Sequence, residues 1–119
     1  MGVSKTRARD AAAARLAAGV ASYALSVELE EITGDARGSA DAAFARQVTM
    51  YLCHVAFELS LGRVAAACGR DRSTVAHACH LIEDRRDDPG FDDWINAMEM
   101  MLRDAPGPAG RKAVLAAPS

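Results

Sequence analysis

The stretch "ACGRDRSTVAHACH", Ala67 to His80, gathers two arginines, a serine, a threonine and two histidines around one glycine. Its spacing decides the fold. In a helix-turn-helix, two helices cross steeply through a short turn. A small residue is needed where they meet, a glycine one turn later, and a branched apolar residue beyond it that packs back into the angle. Ala65, Gly69 and Val75 stand at those three places, with Leu61, Val64 and Cys68 as the apolar face of the first helix. The pattern then turns Asp71, Arg72, Ser73, Ala76, His77 and His80 outward. From those places a recognition helix reaches base edges in a major groove.

Working outward, helices alternate with recognisable punctuation. From about Lys5 to Tyr23 the chain is alanine-rich, with Leu16, Val20 and Tyr23 at helical spacing. "SVELEEITG" predicts a short helix with Ser26 as N-cap and Gly34 as the stop. After "GDARGSAD", Ser39 or Asp41 caps a longer helix to about Leu59, whose Phe44, Val48, Tyr51, Leu52, Val55 and Leu59 form one apolar face. Ser60 caps a short helix ending at Gly69, Asp71 caps the next, and "DDPG" at 87–90 breaks it. A last amphipathic helix, roughly Phe91 to Arg103, carries Trp94, Ile95, Met98, Met101 and Leu102. The expected architecture is all-α, about six helices in one domain over residues 1–104, with a mobile Pro-, Gly- and Ala-rich tail at 105–119.

Composition sets the outer limits. A chain of 119 residues buries one modest core. Half of it is hydrophobic, with alanine prominent and aromatics only 5%, which favours closely packed helices over a sheet. Cys53, Cys68 and Cys79 are an odd set inside apolar helical stretches, so they read as core residues in a reducing, cytoplasmic setting rather than a disulfide framework. Cys68 and Cys79 could be grouped with His77 and His80 as a zinc or Cys–His nucleophile set, but no CxxC pair or orienting acid accompanies them. Neither an enzyme, a metal site nor a cofactor is expected. No run is long and apolar enough to span a membrane. The net charge is -2, yet Phe44 to His80 carries Arg46, Arg63, Arg70 and Arg72 against Glu58 and Asp71. Local sign governs a groove contact, so the acidic total is no obstacle to nucleic acid.

The segment "ARQVTMYLCHVAFELSLGRVAAACGRDRSTVAHACHLIE", Ala45 to Glu83, resembles the C-terminal DNA-binding domain of the bacterial replication initiator DnaA. The elements "RQ…MYLC", "LSL" and "GRD.STV.HAC..IE" carry the likeness, which extends more weakly over about residues 10 to 103. The resemblance implies that Arg70, Asp71, Arg72, Ser73 and Thr74 line the major groove and that His77 contacts backbone or bases. It also implies phosphate contacts by Arg46 and Gln47. These chemistries fit: Asp71 can accept from a cytosine amino group, Arg72 can donate to guanine O6 and N7, and Ser73 and Thr74 suit phosphate or a thymine methyl. Four departures stand out. Arg72 replaces the family's usual histidine, and the turn has one glycine where two are common. His54 occupies the place of a basic phosphate anchor. The loop "TGDARGSADAAFARQ" keeps only Arg37 for a minor groove that the family reaches from an Arg- and Lys-rich segment. Altered or weaker site preference is the expectation.

No GxxxxGK[ST] phosphate loop occurs in the 119 residues, so ATP-driven origin opening is not expected of them. The implied role is a sequence-specific binder of double-stranded DNA in the nucleoid, acting as a transcriptional regulator. Small proteins resembling this domain include some tied to gene transfer agent or phage-like clusters with a sigma-like partner. RNA polymerase, a sigma-like protein and further copies of the chain on DNA are therefore the expected partners. Competition with the initiator at its sites is the alternative role. Another is a module working through protein contact, by its alanine-rich first helix or the Trp94 helix.

Overall fold

The computed structural model describes residues 2–34, 38–107 and 115, with side chains from residue 5 onward. Six helices make up the described fold: α1 (Gly2–Leu25), α2 (Leu29–Thr33), α3 (Ala40–Val55), α4 (Leu61–Cys68), α5 (Arg72–Arg85) and α6 (Pro89–Asp104). Helix α3 is the axis, and every other helix packs against it. Its Val48, Leu52 and Cys53 are fully buried and Tyr51 nearly so. Each large side chain withdrawn from water in this way contributes about 1.5–3 kcal/mol.

The face by which α1 joins the core differs from the expected one. Ala14, Ala17, Ala18 and Ala21 are buried, at the spacing of one helical stripe, whereas Leu16 is 42% and Tyr23 90% exposed. Alanines let the α1 and α3 backbones approach closely, and the larger residues are left on the outer side. Helix α6 follows its amphipathic pattern through Phe91, Ile95, Met98 and Leu102, but Met101 faces solvent.

Two helix ends also depart from the sequence reading. Ser26 is not the cap of α2; it adopts a left-handed φ of 54° just after α1, and the Val27 N–H returns to the Ser22 carbonyl at 3.1 Å. That is a Schellman-type stop, and burial of Val27 anchors it. Glu28 takes the N-cap position of α2 without a side-chain bond. Helix α3 stops at Val55 rather than near Leu59, because Glu58 turns left-handed at φ 56° and the Leu59 N–H goes back to the Cys53 carbonyl. Ser39, Ser60 and Asp88 cap α3, α4 and α6 by accepting from Ala42, Arg63 and Phe91 N–H groups.

Long-range polar contacts tie the helices together. Asp10 on α1, only 7% exposed, receives both Nε and Nη2 of Arg63 on α4, at 2.9 and 2.7 Å. On the far side the Tyr51 hydroxyl donates to Glu83 at 2.7 Å and accepts from Arg86, which also holds Asp92 and Glu99. Burial, then the bond to Glu83, pushes the Tyr51 hydroxyl up to about 12. For Arg86, burial works against the charge. The bonds to Asp92, Tyr51 and Glu99 outweigh it and raise the guanidinium above its ordinary range. Arg85 lies over the rings of Phe44 and Phe91, and Trp94 stacks on Phe44, closing α5 and α6 onto the start of α3.

Candidate nucleic-acid interface

Helices α4 and α5 form a helix-turn-helix. Gly69 ends α4 at φ 64°, ψ 38°, and the N–H groups of Gly69 and Arg70 both return to the Ala65 carbonyl. A Cβ at Gly69 would meet nothing within 4 Å, so glycine is required here by the left-handed backbone and not by space. Val75 is fully buried in the angle, with Val64 and Ala65 opposite it.

Burial then sorts the faces of α5. Val75, Ala78 and Ile82 point inward, while Arg72, Ser73, Thr74, His77 and His80 are exposed, as is Asp71 just before the helix. Asp71 occupies the N-cap position with extended backbone, but its carboxylate makes no capping bond, contrary to the expected cap. Among the described residues, none of Asp71, Arg72, Ser73, Thr74 and His77 spends its side chain on an intramolecular hydrogen bond or ion pair. A row of polar groups at a helix start, held by a rigid turn and left unengaged, presents donors, acceptors and a cation to a groove at little conformational cost.

The flanking basic residues are held differently. Arg46 Nη2 donates to the Glu31 carbonyl at 2.6 Å, and Arg70 Nη2 donates to the Gly34 carbonyl at 2.8 Å. Both therefore cap the C-terminal end of α2, where carbonyls lack helical partners and cations are favoured. A guanidinium has five donors, so such a bond and a phosphate contact are compatible. The consequence is positional: α3 and the helix-turn-helix together hold the end of α2 up to Gly34. Arg37 itself lies outside the described residues. Gln47 is half-buried on α3 beside Arg46.

His54 Nδ1 lies 2.7 Å from the Leu59 carbonyl. A carbonyl only accepts, so Nδ1 carries the proton and Nε2 is the nitrogen left for a ligand. His54 and His80 line one shallow hollow of about 350 Å³ between α3 and α5, with Tyr51, Leu61 and Cys79. The sequence pattern turns His80 outward but gives no sign that His54, on another helix, shares its surface. Arg63, counted among the local cations from sequence, is neutralised by Asp10 on α1. No contiguous pattern links residues 53 positions apart.

The three cysteines divide by environment. The neighbouring Cys68 thiol, then burial, hold the Cys53 thiol well above its ordinary range, and all three cysteines are free. The same neighbour relation, with Arg70 nearby, lowers the Cys68 thiol, which borders a hollow of about 220 Å³. Burial pushes Cys79 up to about 11. Among the described residues no group of His, Cys, Asp and Glu converges as a metal site, and no helix is long and apolar enough to cross a membrane.

Comparison with known proteins agrees with this geometry. A sequence model of the family described as bacterial dnaA protein helix-turn-helix matches residues 19–82. The chain is similar to the chromosomal replication initiator protein DnaA of Lachnoclostridium phytofermentans, 36% identical over 89 residues, which are 73% of this chain and 19% of that protein. It is also similar to chromosomal replication initiator protein DnaA 2 of Chlamydia pneumoniae, 42% identical over 57 residues, covering 48% of this chain and 12% of the relative. A crystal structure of a DNA replication initiation factor superposes on 87% of this chain and 32% of its own, with a TM-score of 0.75 and 25% identity. The chain thus spans under a fifth of the length of these two curated relatives.

Proposed function

Because this chain belongs to the bacterial DnaA helix-turn-helix family of DNA-binding domains, we propose that it reads double-stranded DNA with α5 and acts as a transcriptional regulator. The observation that carries the reading is the exposed, unengaged row Asp71, Arg72, Ser73, Thr74 and His77 at the start of α5. Arg72 supplies the bidentate donor for guanine, and Ser73 and Thr74 sit where the helix start meets the backbone. Arg46, Gln47, His54 and Arg37 supply phosphate or minor-groove contacts around it, and the protein has no catalytic role. With Arg63 spent on Asp10, few cations remain to displace counterions. Affinity is accordingly modest, its salt dependence shallow, and a second copy or a polymerase or sigma-type partner adds the rest.

Genome-wide occupancy of the tagged protein, beside an Arg72→Ala variant, tests the proposal. Peaks at a few promoters that vanish in the variant support it. The relatives are named as replication initiators, so peaks at the origin would instead support a role in replication. Peaks indifferent to Arg72→Ala would overturn the assignment of α5.

A further inference from the structure

The α1–α6 face carries large apolar groups that neither the core nor the recognition helix uses. Tyr23, Leu16 and Met101 are 90%, 42% and 58% exposed, and all three line one hollow of about 570 Å³ between α1 and α6. Below these rims lie Val20 and Trp94, half-buried, with Met98 buried at the floor and Gly19 keeping one wall low. Along the stripe that carries Leu16 and Tyr23, the N-terminal half of α1 adds positive charge: Lys5 and Arg9 are exposed, Arg15 lines the hollow, and the helix's one carboxylate, Asp10, is buried against Arg63.

We propose that this groove docks an amphipathic helix of a partner protein, apolar on one face and acidic along the edge that meets α1. The shape selects a helix: Leu16 to Tyr23 spans about 10 Å along α1, which is about two turns of a docked helix laid beside it. The charge selects its flank, because these three cations of α1, with no accessible carboxylate on that helix, favour glutamates and aspartates opposite them. A symmetric second copy would set α1 against α1 and oppose like charges. An anionic bilayer suits the charge, but the apolar surface is recessed between two helices, and a bilayer needs it proud. Helix α5 contributes nothing to the groove, so the helix and DNA can be held together. The inference stands independently of how α5 reads DNA.

Trp94 is the only tryptophan and lines the groove, so its fluorescence reports occupancy of the full-length protein. The probes are two amphipathic helical peptides of about 18 residues with the same leucine face, one flanked by glutamates and one by lysines. The glutamate peptide should shift Trp94 emission saturably and bind about tenfold more tightly than the lysine peptide, the effect of two or so rim charge pairs. Leu16→Asp should abolish the shift while leaving DNA affinity unchanged, and Arg15→Glu should narrow or reverse the preference between the peptides. Equal binding of both peptides, indifference to Arg15→Glu, or no peptide binding overturns the proposal. So does a Trp94 response only to phosphatidylglycerol vesicles or only to rising protein concentration, which would reassign the face to membrane or to self-association.

Discussion

The turn between α4 and α5 offers a sharp test, because glycine-to-alanine changes at two sites are expected to act with opposite sign. At Gly69 the backbone is left-handed and an added Cβ has open space around it. Alanine there suffers only the intrinsic strain of that conformation, about 1–2 kcal/mol. The smaller entropy of its unfolded chain returns about 0.4–1 kcal/mol. The net expectation is a loss of about 1 kcal/mol for Gly69→Ala. Gly19 sits inside α1 and also has nothing within 4 Å of an added Cβ. Alanine there removes the cost of glycine in a helix, a gain of about 0.5–1 kcal/mol. Urea titrations of the two variants beside the parent measure both at once, and Gly69→Asn should lose less than Gly69→Ala because asparagine tolerates the left-handed region. If Gly69→Ala were neutral or stabilising, the left-handed turn that sets the α4–α5 angle would be wrong. If it cost far more than about 2 kcal/mol, the open space around it would be wrong.

Asp10→Ala and Arg63→Ala should each lower the Tm, and the double variant should be less destabilised than their sum, because either single change strands a partner. Tyr51→Phe should cost about 1 kcal/mol at neutral pH for the lost hydroxyl bridge. The folded-state Tyr51 pKa of about 12 exceeds the ordinary 10.0, so its contribution is fully present below pH 10 and is lost as pH rises to 12. The stability gap between parent and Tyr51→Phe, measured by denaturation across that window, should therefore shrink. Iodoacetamide at neutral pH should label Cys68 first by peptide mass spectrometry, since its pKa is lowered while those of Cys53 and Cys79 are raised. Earlier labelling of Cys79 would contradict the environments described.

What sequence makes legible here is what local spacing controls. The Ala65, Gly69 and Val75 pattern is a short-range constraint of the turn, and the structure returns it with the left-handed glycine and the buried valine in place. Serines 39 and 60 likewise cap the helices their neighbours begin. Ser26 misled because a small hydroxyl residue suits both the end of one helix and the start of the next; burial of Val27 decides between them, and burial is a tertiary event. The same holds for α1, where the eye follows Leu16 and Tyr23 but close packing selects alanines. At the interface, the outward row on α5 follows from helical periodicity. The bonds of Arg46 and Arg70 to α2 carbonyls and the pairing of Arg63 with Asp10 do not, since each joins residues distant in the chain. Of these, only the pairing of Arg63 with Asp10 offsets a positive charge, and it takes one of the arginines near the turn out of the charge offered to DNA.

The most direct test of the central claim is fluorescence anisotropy of the purified protein on a duplex selected from a random pool, beside a scrambled duplex, for the parent and Arg72→Ala. The account predicts that the parent prefers the selected duplex and that Arg72→Ala loses about 1–3 kcal/mol of that preference while binding the scrambled duplex nearly as before. Equal discrimination by parent and variant would contradict the claim that α5 reads the DNA.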